Sequence, residues 1–546
     1  MKTAFINGKV YIGSGKFCQA FLSENGIITR TGKDEEILSD SNIGQVIDCE
    51  KRTVLPGLND SHMHLVMTGE YRDQLLLNDC HSPEEIIGKC RAYLQSHPDA
   101  AQKGLHAAGW NQDSFTGEKR VLYRHDVDQI AENIPIVLER ICGHIVAANS
   151  KAIEMLGISG NTPQPSDGVY EIGNDGEPDG IFKENAVQKP LALIPPFSPE
   201  QRKKQIANAM NHAAECGVTS VQSNDTPFDA KKHAELFELI HALYTEGKAP
   251  VRYRVQVCFR TPEEFETACR EGEYSGIFPE IKDQFEIGPL KLFKDGSLGA
   301  RTALMSHEYA DDPGNFGVES LDSTTMDEYC RIAAEYHVQT VTHAIGDEAI
   351  RRVTASYEKA FISGKNIYRN SIIHCQITDP ELIQRIAKSG ILVQYQPLFL
   401  NADLHTAEAR VGKRLASSSY AFQSLTKAGG KISYGTDSPV EDLNPFPNIC
   451  CAVTRQDFQG FPSGGFYPDE KVDVFTAIDA YTQGSAFCEF AENRKGMIRE
   501  GFLADAVMLD RDIFSIQPEE IKEIKPVLTM TGGKIVFSQL ANHPAL

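Results

Sequence analysis

SIIHCQITDPELIQRIAKSGILVQ, residues 371–394, holds a whole structural unit in one short stretch. Ser371–Ile373 is an apolar run, Pro380–Lys388 carries a helical pattern, and Ile391–Gln394 is apolar again. Strand, helix and strand in close succession predict a βαβ unit with parallel strands. The alternation continues outward. Helical patterns fall over Pro83–Gln95, Pro199–Cys216, Ala230–Glu246, Thr325–His337 and Val474–Tyr481. Short apolar runs fall over Ile134–Leu138, Val218–Val221, Val251–Val257, Leu290–Phe293, Gln339–Thr342 and Lys431–Tyr434. About eight such units predict an α/β fold, a (β/α)₈ barrel of the TIM type. A stretch at about 68–200, rich in Gly, Pro, Asn and Asp, reads as a large insertion in it.

The two ends read as strands. Ala4–Ile6 and Val10–Ile12 flank Asn7-Gly8, a dipeptide that favours a type I′ hairpin. Phe21–Leu22, Gly26–Arg30 and Gln45–Asp48 continue the β pattern. Near the other end, Asp505–Asp510, Val527–Thr531 and Lys534–Phe537 are strands, the last two joined by Gly532-Gly533. Isolated two-stranded hairpins are marginal in water. The termini are therefore predicted to combine, residues 1–56 with 497–546, in one small sheet domain beside a barrel of residues 57–496.

Composition excludes several classes. The 546 residues are 41% hydrophobic and 24% charged, which is ordinary for a globular chain. Lys and Arg number 54 against 75 Asp and Glu, a formal charge of −21 that argues against nucleic acid or anionic lipid as partner. No apolar window is long enough for a signal peptide or a membrane span. The 13 cysteines form no CxxC pair and read as reduced, mostly buried thiols. A cytoplasmic protein acting on a small molecule is the expectation.

Chemistry concentrates in a few segments. LPGLNDSHMHL, residues 55–65, sets His62 and His64 two apart. On a strand that spacing puts both imidazoles on one face, roughly 6.6 Å apart along the chain, where they could share a divalent ion. They could equally be two satisfied turn histidines. QTVTHAIGD and NSIIHCQI place His343 and His374 at the ends of two further strands. At the C-terminal rim of a barrel, inward side chains from several strands converge, so four such histidines predict a metal site.

KISYGTDSP, residues 431–439, adds Asp437 at the exit of another strand, either at that rim or as a helix cap before Pro439. LKLFKDGSLGAR, residues 290–301, puts Lys291, Phe293 and Asp295 on one strand face. A lysine inside a barrel must be paired or modified. Lys291 is either an ammonium paired to Asp295, or a desolvated amine able to react with carbon dioxide and bridge two metals as a carbamate.

In this order LPGLNDSHMHL, KLFKDGSLGARTA, THAIGDEAI, IIHCQI, YGTDSPV and the tail GMIREGFLADAVMLD resemble the amidohydrolase superfamily. The likeness is greatest to amidohydrolase family 3, the YtcJ-like metal-dependent hydrolases, and runs over about residues 1–537. The resemblance implies the barrel, a β-sandwich from both termini, and one or two divalent ions per chain, usually zinc. It implies His62 and His64 as ligands of the first metal and Lys291 as the carbamylated bridge. His343 and His374 would hold the second metal, and Asp437 would be the acid that meets metal and catalytic water. Lys294 falls where the pattern varies, so Lys291 is preferred.

Within the insertion, AAGWNQDSF with Trp110, RICGHIVAANS with His144 and Asn149, and DGIFKENA with Glu184 are similar to segments of the same family. They are read as candidate pocket residues, with plain core as the other reading of Trp110. The expected protein is a metal-dependent hydrolase of a non-peptide C–N bond, such as an N-acyl, formamide or cyclic amide. The alternatives are ester, lactone or phosphoester hydrolysis at the same site, or a non-catalytic metal-binding regulator. A homodimer is expected from the resemblance alone.

Overall fold

Eight short parallel strands, each buried along nearly its whole length, form the central sheet. The computed structural model describes residues 2–140, 145–165, 168–195, 197–272 and 278–540. The strands are β1 (Leu58–Met63), β2 (Val218–Asn224), β3 (Arg252–Val257), β4 (Phe285–Phe293), β5 (Thr340–Ala344), β6 (Ser371–His374), β7 (Leu392–Tyr395) and β8 (Ile432–Tyr434). They lie side by side in sequence order, every neighbouring pair parallel. Helices such as Ser323–Glu335, Asp347–Ala360 and Pro380–Ser389 connect them. This is the TIM-type order.

β8 and β1 share no ladder, and the barrel is nearly closed there by the loop after β8. The Asp437 amide donates to His62 O at 2.8 Å, and the His64 amide donates to Ser438 O at 2.7 Å. The Asp60 carboxylate accepts from the Thr436 hydroxyl at 2.6 Å and from the Thr436 amide. Gly435 is required at this seam, because a Cβ there would lie 2.5 Å from the His62 nitrogen and 2.7 Å from Asp60 Oδ1.

Alternation sorts the strand residues. Leu290 and Leu292 of β4, Tyr253, Val255 and Val257 of β3, and Val393 and Tyr395 of β7 pack into one large apolar core with helix residues such as Ile350, Val353 and Tyr357. The intervening residues, among them Lys291, Phe293, Arg254, Gln256 and Gln394, therefore face the barrel interior. The apolar triplet Ile350, Val353 and Tyr357 lies on Asp347–Ala360, a helix that the sequence reading passed over.

The termini form two sheets around a shared core of Phe5, Phe21, Ile28, Val54, Met508 and Leu528. One sheet orders Ile27–Gly32, Ala20–Glu24, Lys2–Ile6 and Gln45–Asp48. The other joins both ends of the chain, because Thr53–Pro56 pairs antiparallel with Ala506–Leu509. Gly532 and Gly533, at φ +57° and +75°, make the tight turn between Pro526–Thr531 and Lys534–Ser538. Asn7-Gly8 makes no hairpin. Lys2–Ile6 pairs with Ala20–Glu24 and Gln45–Asp48, while Lys9–Gly13 pairs with Lys16–Cys18 and Thr53–Pro56, so the chain changes sheets at that dipeptide. Asn7 does take a positive φ, 52°, but its side chain is bonded to Asp48.

Residues 69–205 form a second compact unit. Its six-stranded sheet runs Gly168–Ile172, Pro178–Glu184, Ile145–Ala148, Ile136–Arg140, Leu105–Trp110, Leu75–Leu76. The run read as Ile134–Leu138 belongs here and not in the barrel. Its place in the barrel is taken by Leu58–Met63. An apolar run flanked by turns does not show which sheet it joins.

Among the described residues, no helix is long and apolar enough to cross a membrane. Ten of the twelve described cysteines are buried.

Candidate metal centre

The C-terminal ends of β1, β4, β5, β6 and β8 converge on one cluster of nitrogen and oxygen donors. His62 and His64 present ligand atoms that lie, with one from Asp437, all within 4.8 Å of one another. Asp437 Oδ1 is 3.2 Å from Nε2 of both rings. It is buried, and neither approach has hydrogen-bonding geometry, so this oxygen has no hydrogen-bond partner. His374 stands across from His62 with ring centroids 5.8 Å apart, and His343 packs edge-on to His374 at 4.5 Å. Lys291 Nζ lies 3.2 Å from His62 Nε2.

The ring nitrogens are aimed by their outer partners. His64 Nδ1 is 2.7 Å from the Asn224 carbonyl, which can only accept, so Nδ1 carries the proton and Nε2 offers its lone pair inward. Gln256 Oε1 does the same for His62 Nδ1 at 3.1 Å. The Asn224 amide side chain is itself held by Gln256 O and Cys258 Sγ, each at 3.1 Å. His343 donates from Nε2 to Gly296 O at 3.0 Å, which frees Nδ1. His374 Nδ1 is buried without a partner.

Burial, with Lys291 as the next cause, pushes the His62 imidazole down to about 3 and the His343 imidazole to about 4. Burial also takes His374 well below its ordinary range. These rings are therefore neutral, as metal ligands must be. Burial alone would raise the Asp437 carboxyl, but its contacts with His62 and His64 hold it far below the usual carboxylate range.

Backbone conformation matters as much as residue type. On β6, Ile372 packs outward into the core, so strict alternation would send His374 outward too. His374 instead takes φ +73° and Cys375 φ +48°, which turns the imidazole into the barrel. Asp437 has φ +59°. Left-handed conformations at non-glycine residues cost about 1–3 kcal/mol each and cluster at functional sites. Asp437 caps no helix, since the next one, Pro445–Thr454, is capped by Asn444.

Lys291 is 1% exposed, and burial lowers its amine to about 8. It does not pair with Asp295. That carboxylate accepts from the amides of Leu304, Ile345 and Gly346 at 2.8–3.0 Å. The neighbouring Lys294 is fully committed, to Glu319 at 2.7 Å, Leu321 O at 2.6 Å and Ser323 Oγ at 3.2 Å.

Aromatic rings wall the cluster. Phe399 stacks on His374 with centroids 5.6 Å apart, and Phe293 lies 6.0 Å from His343. Gln256, Asn224, Asp60 and the two phenylalanines were not singled out from the sequence. Asp60 sits within LPGLNDSHMHL and could have been, whereas Gln256 and Asn224 carry no motif.

The residues of the second unit play other parts. Trp110 is fully buried and donates its indole N–H to Leu138 O at 2.9 Å. Asn149 caps the helix Ser150–Leu156, and its amide donates to Ala131 O and Ile134 O at 2.8 Å. Both make structural contacts within their own unit, which for Trp110 agrees with the core reading. Glu184 ends the strand Pro178–Glu184 and is exposed. His144 lies outside the described residues.

The donor set fits a divalent metal: inward imidazoles, one carboxylate, and two buried atoms, Asp437 Oδ1 and His374 Nδ1, left without hydrogen-bond partners. A barrel with such a cluster at its C-terminal rim defines a metal-dependent hydrolase. Residues 45–537 match the model of the Amidohydrolase family, and the chain belongs to that family. It is 31% identical to a putative amidohydrolase, YtcJ of Bacillus subtilis, covering 99% of this chain and all of that protein. It is 24% identical to an N-substituted formamide deformylase of Arthrobacter pascens, covering 95% of each. An uncharacterized metal-dependent hydrolase from Pyrococcus furiosus superposes with a TM-score of 0.75 at 26% identity, over 94% of this chain and all of the other.

Proposed function

We propose that this amidohydrolase cleaves a non-peptide C–N bond, as in an N-acyl amine, a formamide or a cyclic amide, with Asp437 as proton carrier. The observation that carries the reading is the unpartnered, buried Asp437 Oδ1 facing two inward imidazole nitrogens. His62, His64, His343, His374 and Asp437 would hold zinc, one or two ions, with Lys291 as a carbamate between them. Bound there, the metal supplies Lewis acidity that brings a water close to neutral ionisation and polarises the substrate carbonyl. Asp437 takes the proton of the attacking water and passes it to the departing nitrogen, acting first as base and then as acid. Phe293 and Phe399 exclude bulk water from the rings they cover. The name of the formamide deformylase, whose relation spans nearly the whole chain, supports a formamide among the candidate bonds.

Protein produced with added zinc should carry about one to two equivalents of divalent metal per chain by elemental analysis. Less than about 0.2 equivalents of any transition metal, with the fold intact, would overturn the reading. The metal-loaded enzyme should turn over members of a panel of N-acyl amines. Turnover of esters or phosphotriesters alone would replace the C–N assignment.

We also read the chain as a cytoplasmic homodimer, in keeping with its scattered, mostly buried cysteines and with the family resemblance. Light scattering at micromolar concentration should give twice the chain mass. A monomer there would refute the dimer.

A further inference from the structure

On the side of β2 and β4, the mouth of the metal centre is walled by hydrocarbon. Phe293 ends β4, half-buried, with its ring centroid 6.0 Å from that of His343 and 4.7 Å from Lys291 Nζ. Phe228, in the loop after β2, lies against it with ring centroids 5.9 Å apart and planes tilted by 53°. Phe228, Phe293, His343 and His374 thus make a chain of ring contacts that runs from the surface to the metal donors. The outermost ring, Phe228, is 51% exposed.

The loop that carries Phe228 is pinned on both sides of it. It starts at Asn224, whose carbonyl aims His64, and the Asp225 carboxylate accepts from the Val66 amide at 2.9 Å. The Thr226 hydroxyl accepts from the Cys258 amide at 2.8 Å, and the Pro227 carbonyl accepts from His233 Nε2 at 2.9 Å. Asp229 then caps the short helix Ala230–Lys232. The ring is therefore held in place half in water, where apolar area is unfavourable until another apolar group covers it. Single exposed apolar residues are ordinary on a protein surface. This one is continuous with the wall of the metal centre, and ligand sites are lined mainly by such side chains.

By strand order, the rim across the barrel is apolar too. Phe399, after β7, is half-buried and stacks on His374 with planes 15° apart. Val440, 63% exposed, closes the turn after β8 by donating its amide to the Asp437 carbonyl at 2.9 Å.

We propose that Phe228 and Phe293 seat an uncharged hydrocarbon arm of the substrate, so that the amide cleaved at the metal carries a bulky alkyl or aryl substituent. The inference rests on the hydrolase reading and deepens it, naming the group that lies beside the scissile bond. The arm packs on Phe293 next to His343 and covers Phe228 at the mouth, taking apolar area of both partners out of water.

The test compares N-formylhexylamine with N-formylethylamine on the full-length, zinc-loaded protein. The longer compound should be favoured by about tenfold or more in kcat/KM, as burial of part of its added chain requires. Phe228→Ala should reduce that ratio to below about threefold, while Phe228→Leu, which keeps an apolar surface, should retain most of it. A ratio near one in the wild type, or a preference that survives Phe228→Ala undiminished, overturns the inference and leaves the hydrolase reading standing. If neither formamide is cleaved, the formamide reading fails on its own. Calorimetric titration of the same pair, into zinc-loaded and metal-free protein, then decides. Tighter binding of N-formylhexylamine, weakened in Phe228→Ala, supports the seat. Equal binding of the two, or binding indifferent to the substitution, refutes it.

Discussion

Asp437→Asn should lower kcat by about 10²–10⁴, the span usual for a lost general acid–base group. Asparagine keeps an oxygen in the position of Asp437 Oδ1, 3.2 Å from His62 Nε2 and His64 Nε2, but it cannot take up a proton. Metal content should therefore fall far less than turnover, since four imidazoles remain. A purely structural aspartate predicts the reverse pattern of small kinetic loss, because asparagine has nearly the same shape and keeps an oxygen in place. Contacts with His62 and His64, working against burial, keep Asp437 a carboxylate through the neutral range. It is thus in its base form where the enzyme works. Steady-state kinetics paired with elemental analysis on one preparation makes the comparison. Near-normal turnover of the variant, on any substrate the wild type cleaves, would remove Asp437 from the chemistry.

What could be read from the sequence follows from what periodicity encodes. Lys291 and His343 sit where strand alternation sends them inward, so their types and positions were enough. His62 and His64 were legible as a pair, and the GlyThrAsp exit of β8 marked Asp437. His374 was found by its place at a strand end, yet alternation alone would have turned it away. Only its positive φ brings it in, and no local pattern announces that. Gln256 and Asn224 orient the rings through contacts 194 and 160 residues distant in sequence, which a linear reading cannot reach. The run Ile134–Leu138 lay within the insertion, but its sheet partners were not legible for the same reason, since strand partners are set by tertiary contacts. The dipeptide Asn7-Gly8 has the backbone freedom a hairpin needs, but Gln45–Asp48 and Ala20–Glu24 compete successfully for the strand before it.

Lys291→Ala should cost about 10²-fold or more in kcat, because loss of an outer-shell partner alone typically costs 10–100-fold and a bridging ligand contributes more. The reasoning starts from burial. Lys291 is 1% exposed, its nitrogen is 3.2 Å from His62 Nε2, and burial brings its amine down to about 8. A lowered amine pKa means that the neutral, nucleophilic form is favoured, increasingly so as pH rises through that value. The neutral amine adds to carbon dioxide, forming an N–C bond and releasing one proton, and leaves an anion where a cation would repel metal. Metal-free protein equilibrated with bicarbonate should therefore gain the mass of one carbon dioxide more completely near about pH 9 than near about pH 7, and lose it in acid. In Lys291→Ala the vacated space should admit a short carboxylic acid, so formate or acetate should restore part of the activity. A structural ammonium predicts neither the mass gain nor the rescue. Absence of both, in a variant that still folds and binds metal, would assign Lys291 to packing and leave the centre to the histidines and Asp437.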